Sequence, residues 1–327
     1  MMPMRTLPMM LASAAFVGLA AAPAFALDGA DLVAKFNAAS AVNGTTITYD
    51  GADVDGDSVT LTNVALKTVG SDKDLKIGEV TLEGVEEYDD GGYYVETVSL
   101  PDVDLSETEG SVSVKDIALG GLTIPANPNG GTIDDMLLYE SASTGPVTVT
   151  SKGKQVFALE SIDANLNRQD SDTGFDFDAA LKGVKADLSD VEDAKAKDAI
   201  QKLGLTTLAG EMTMKGSWEI ASGNIALDEY ALDFANVGRL NMTFNISGYT
   251  LEFIKAIQEA MKAQEANPNK EEANQALGLS MMGLMQQLTF NGASVRFDDA
   301  SITKRVLDYV AKQQGTTGDQ LSQSLKG

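Results

Sequence analysis

Carboxylates dominate the side chains that could do chemistry in this sequence. Acid pairs recur as Glu86/Glu87, Asp89/Asp90, Asp102/Asp104, Asp176/Asp178 and Asp298/Asp299. Two carboxylates flanking a glycosidic bond are the machinery of a glycoside hydrolase, which also uses aromatic platforms to hold the sugar. The chain has one Trp, Trp218, and 6% aromatic residues, so such a cleft has little to stack with. Acids two residues apart on a strand face the same side, ordinarily the solvated one. A hydrolase built on paired carboxylates is therefore the most distant of three readings. Asp50, Asp53, Asp55 and Asp57 have the look of a calcium loop. Counted from Asp53, however, position 6 is Ser58 and position 12 is Val64, where an EF-hand needs Gly and Glu. An acidic β-turn is the expectation here, with weak Ca²⁺ binding the one metal chemistry left, and no other cofactor is expected.

Two Ser-x-x-Lys segments, Ser151–Lys154 and Ser301–Lys304, lack the Ser-Asp-Asn and Lys-Thr-Gly motifs that penicillin-binding enzymes combine with them. The first reads as a hairpin turn. The second reads as a helix start with Ser301 as the N-cap. The absences are as informative. With no His there is no imidazole base and no Ser-His-Asp triad. With no Cys there is no disulfide, no thiolate nucleophile and no lipoprotein anchor. Against 24 Lys+Arg stand 48 Asp+Glu, a formal charge of −24 that opposes binding to a phosphate backbone. Nothing supplies a complete catalytic constellation, and a non-enzymatic role follows as the expectation.

The methionines point elsewhere. Met281, Met282 and Met285 lie on a predicted helix beside Leu277, Leu284 and Leu288, and Met261 lies on the helix before it. Met212, Met214 and Met242 fall in predicted strands. Flexible thioethers adapt to irregular partners, so these residues could line an apolar ligand groove. A stripe at helical spacing also reads as ordinary core packing.

The elements that must position these residues follow from apolar periodicity. The order φ-x-φ-x-x-φ-x-φ occurs eight times, first as Val59, Leu61, Val64, Leu66 and last as Leu288, Phe290, Ala293, Val295. Steps of two are half-buried strands, and the central step of three demands a β-bulge, a bend or a short turn. Turn signals separate the runs at Asp55–Asp57, Asp89–Gly92, Asn127–Gly131 and Asp170–Gly174. Helices are expected from Asp28 to about Ala41, over 190–203, as a hairpin of Leu251–Ala266 and Lys270–Gln287 turned at Asn267-Pro268-Asn269, and over Ser301–Gln313. The expected fold is mainly β (α+β): a long curved, bulged antiparallel sheet with a helical hairpin and terminal helices packed on it. Residues 1–26 read as a signal peptide cleaved after Ala26, which directs the chain to the periplasm. Residues 27–145 form a strand-rich first lobe and 146–327 a mixed second lobe of one elongated domain. The mature chain has no apolar run long enough for a transmembrane helix. It ends in a polar tail, Thr316–Gly327, beyond which a further segment could hold function.

Val59-Thr-Leu-Thr-Asn-Val-Ala-Leu66 and Leu75-Lys-Ile-Gly-Glu-Val-Thr-Leu82, within Asp57–Pro125, resemble the β-repeats of AsmA-like envelope proteins. Phe175-Asp-Phe-Asp178, Trp218-Glu-Ile220, Leu227–Leu232 and Asp299–Leu307 are similar to YdgA-like and related uncharacterised exported proteins of alphaproteobacteria. The resemblance covers most of the mature chain and carries no catalytic motif. It implies envelope maintenance, with lipid handled along a hydrophobic groove, although AsmA-like proteins are far longer and membrane-anchored. The leading expectation is a scaffold or envelope-maintenance protein that contacts a partner protein, or lipid through an apolar sheet face. The alternative is a carrier that holds an acyl chain between the sheet and the Met-rich hairpin.

Overall fold

The computed structural model describes residues 27–41, 44–69, 74–128, 132–169 and 173–326. The signal-peptide reading of 1–26, and the turn residues 129–131 and 170–172, lie outside the described residues. Asp28 accepts the N–H groups of Ala30 and Asp31, each at 3.0 Å, and so starts α1 (Gly29–Ala41). Strands β1 (Thr45–Thr48), β2 (Gly51–Asp55), β3 (Ser58–Thr68), β4 (Leu75–Glu87) and β5 (Tyr93–Leu100) follow. Next come β6 (Val103–Glu107), β7 (Gly110–Val114) and β8 (Ile117–Ile124). A 3₁₀ turn at Ile133–Asp135 leads to β9 (Ser141–Thr144), β10 (Val147–Ser151), β11 (Lys154–Leu159), β12 (Ser161–Arg168) and β13 (Gly174–Asp187). The second half holds α2 (Ala194–Lys202), β14 (Thr207–Glu219), β15 (Asn224–Phe234) and β16 (Gly238–Ser247). The hairpin α3 (Leu251–Ala266) and α4 (Lys270–Met285), then β17 (Thr289–Asp299), α5 (Ile302–Gln313) and α6 (Gly318–Lys326) complete it.

All 17 strands belong to one open antiparallel sheet. The main ladder runs β3–β4–β5–β8–β9–β12–β13–β14–β15–β16–β17, with β1 and β2 both paired to β3. A side ladder, β6–β7–β10–β11, rejoins the main one at β13. The expected break at the step of three is present in two forms. Within long strands it is a register shift, between Leu61 and Val64, Leu181 and Val184, and Leu227 and Tyr230. Elsewhere it is a bend that divides one run into two strands, as where Leu100 ends β5 and Val103 begins β6. Gly183 sits in one such step at φ 63°, in the left-handed region. A Cβ there would lie 2.4 Å from the Glu160 stem, so both the backbone angle and the space call for glycine. Each bulge returns the apolar set to one face and adds twist, which is how a long sheet becomes curved.

The core sits on that face in the first half. Leu32 and Val33 of α1 pack with Val59, Leu61, Leu82, Val95, Val98 and Ile124, all buried. Tyr93 is fully buried there, and its hydroxyl donates to Asp31 at 2.7 Å. Lys35 pairs with the same carboxylate and lies 4.9 Å over the Tyr93 ring. Burial, then the bond to Asp31, pushes the Tyr93 phenol well above its usual range. In the second half, Arg305 of α5 donates to the backbone oxygens of Leu203, Gly204 and Asn236, which ties α5 to the end of α2 and the β15–β16 turn.

Candidate functional site: an apolar face carried to an open edge

Cross-strand registers trace a single row of apolar side chains through the whole main ladder. It runs Val59, Leu82, Val98, Leu119, Ala142, Ala164, Ala179, Met214, Tyr230, Met242, Val295, one residue per strand from β3 to β17. The residues directly beside that row point the other way and are polar or small: Thr60, Thr81, Ser99, Ala118, Ser143, Asp163, Ala180, Thr213, Ala231, Asn241, Arg296. The period of two, corrected by the bulges, makes one face of the sheet apolar and the other polar or small, with Ala231 of that other face buried in the second half.

What changes along the row is its cover. Val59 is fully buried and Val98 is 6% exposed, because α1 lies over that end. Met214, Tyr230 and Met242 are half-buried. Val295 is 71% exposed, and its neighbours on β17, Phe290 and Phe297, are 68% and 44% exposed. β17 is laddered on β16, and among the described residues it has no further register, so its outer N–H and C=O groups form an open edge. At one corner the hairpin does reach the face. Phe253 of α3 is buried against Tyr249, which meets Trp218 edge-on, and Trp218 stacks at 6.2 Å on Phe175. Trp218 Nε1 donates to the Tyr249 carbonyl at 2.8 Å and locks this corner.

The sequence-derived ligand-lining set divides accordingly. Met212 and Met214 on β14 and Met242 on β16 flank Leu232 and Tyr230 of the intervening β15, on the apolar face. Leu277 and Met281 are half-buried on α4, while Met261, Met282 and Met285 are 50%, 65% and 62% exposed. Those three, one on α3 and two on α4, are therefore not core residues.

The acids have structural occupations. Asp102 and Asp104 share Lys115 at 3.2 and 2.6 Å, and the bond from Lys115 holds the Asp104 carboxyl below its usual range. Asp178 accepts from Asn165 across the β12–β13 pair, and Asp176 accepts from Gln169, just past the end of β12. Of the calcium-like segment, Asp50 accepts from Asn63 at 2.8 Å, Asp53 and Asp55 are exposed on β2, and Asp57 sits in the β2–β3 turn. Among the described residues no three acids are grouped as a metal would require. Ser301 occupies the position before α5, yet its hydroxyl donates to the Asn236 carbonyl and makes no cap bond. The cap comes from Asp299, which accepts the Thr303 N–H at 2.8 Å, because Ser301 is held at φ 126° and faces away. Ser151–Lys154 is the expected hairpin turn between β10 and β11, with Lys152 and Gly153 at φ 51° and 78°.

Among the described residues no helix is long and apolar enough to cross a membrane. A family model described only as "Uncharacterized protein" matches residues 231–327, the stretch from the end of β15 through β17 to α6. No curated protein and no solved structure matches the chain.

Proposed function

We propose that this chain is a non-enzymatic envelope-maintenance scaffold of the periplasm, and that it docks a partner protein at the β17 end of its sheet. The reading rests on one observation: the apolar row continues in register onto an edge strand where Phe290 and Val295 are about two-thirds exposed. An open edge with apolar anchors on one face is what strand addition uses, since the backbone gives affinity and alternate side chains give specificity. The second reading, a carrier of an acyl chain, is favoured by the half-buried Met212, Met214 and Met242 on that face.

A photo-reactive residue placed at Phe290 in cells discriminates them, with the same residue at Arg296, on the reverse face of β17, as control. Docking gives a discrete protein adduct at 290 and none at 296. An adduct of lipid mass alone at 290 transfers the argument to the carrier. Equal labelling at both positions overturns both readings.

A further inference from the structure

Where the two halves of the sheet adjoin, a cleft gathers aromatic rings that the sequence scatters. A cleft of about 550 Å³ opens between the β4–β5 turn, the β8–β9 connection and the end of β12. Tyr88, Tyr94 and Tyr139 line it, together with Asp90 and Glu140. Tyr88 and Tyr139 are exposed and Tyr94 is half-buried, so all three lining phenols keep surface that a ligand can reach. Among the described residues the one lining cation is Arg168, whose guanidinium is engaged by Asp134 at 2.8 Å. Among the described residues Asp90 and Glu140 are in no ion pair, although Asp90 accepts the Gly92 N–H at 2.8 Å. The lining thus carries two uncompensated carboxylates around three phenol rings.

We propose that this cleft binds an organic ammonium cation. Tyrosine faces attract ammonium groups through the ring quadrupole, most strongly where water is excluded, and neighbouring carboxylates add Coulomb attraction. The volume lies within the range of about 300–1,000 Å³ usual for small-ligand sites. The phenols respond to both their burial and the nearby carboxylates. Burial first, then Glu86, Glu140 and Asp90, raise the Tyr88 phenol above its usual range. Burial first, then Glu140, raise Tyr94 in the same way. Burial opposes either charge there, so it is the carboxylate share of the effect, with Glu140 acting on both rings, that is a negative potential favouring a cation. Glu140 is also well positioned: its stem crosses Gly121, where a Cβ would lie 2.5 Å from it.

The test is calorimetric titration of the protein with choline and with 3,3-dimethyl-1-butanol, its uncharged isostere. Choline should bind saturably at one site, and the isostere at least tenfold more weakly. Glu140→Gln keeps the stem over Gly121 and should weaken choline about tenfold, as should Tyr139→Ala at its exposed position. Unchanged melting temperatures in both variants separate lost binding from lost fold. Co-sedimentation with phosphatidylcholine vesicles identifies the source of the ammonium, a lipid headgroup if the protein pellets and a free amine if it does not. Equal affinity for choline and the isostere, or no saturable binding of choline, overturns the proposal.

Discussion

Replacing Val59 and Val295 separately by Thr tests whether the two ends of one apolar row live in different solvents. Val and Thr share the β-branch and nearly the same shape, so strand preference and packing volume are conserved while one methyl becomes a hydroxyl. At Val59, fully buried between α1 and Leu82, that hydroxyl has no partner. A buried hydroxyl without a hydrogen bond costs about 1–3 kcal/mol by mutational measures. At Val295, 71% exposed, water supplies the partner, and exposed substitutions stay within about 0.5 kcal/mol. The expected difference is therefore about 0.5–3 kcal/mol for identical chemistry. Urea unfolding followed by the fluorescence of Trp218, the only tryptophan, reads it directly as a shift in midpoint at constant slope. A loss at Val295 as large as that at Val59, independent of protein concentration, would mean that the chain covers its own edge. That result would remove the basis of the docking surface.

Gly183→Ala should cost about 2 kcal/mol, because φ 63° alone costs about 1–2 kcal/mol for an L-residue and the Glu160 stem must also move. Gly278→Ala in α4, where an added Cβ meets nothing, should instead stabilise by about 0.5–1 kcal/mol, and equal effects at the two sites would contradict the bulge geometry. Asp187 is held at about 2 by its bond to Ser189 and then by Lys154, 2.9 Å away. A depressed carboxyl contributes stability that is present above its unfolded value of 3.8 and is lost as pH falls through the folded one. Wild type should thus lose more melting temperature than Asp187→Asn between about pH 4 and pH 2, measured side by side so that relief of the overall −24 charge cancels. Parallel curves would show that Asp187 does not contribute.

Much of the fold is legible in local pattern. The step of three inside each apolar run required a break, and Leu61/Val64, Leu181/Val184 and Leu227/Tyr230 supply it as register shifts. Asn267-Pro268-Asn269 divides the helical hairpin where turn chemistry places it, and α3 begins and ends at the expected residues. Ser301 shows the limit of such reading. A serine before a helix is a good cap by type, but the backbone angle imposed by the β17 turn hands the role to Asp299. The methionines show it again. Spacing groups Met282 and Met285 with the core, whereas α4 carries them into solvent and leaves Met212, Met214 and Met242 on the sheet.

Composition and period, which are properties of neighbouring residues, determined the class of this protein: acidic, without His or Cys, and built of bulged strands. Tertiary structure alone decided which part of the apolar face is covered. Val59 and Val295 have the same type and the same kind of neighbours, and they differ because α1 lies over the first while β17 ends the ladder. Burial is a matter of what arrives from elsewhere in the chain, so no local spacing encodes it. The same holds for Tyr88, Tyr94 and Tyr139, which line one cleft because β5 pairs with β8 across an intervening hairpin.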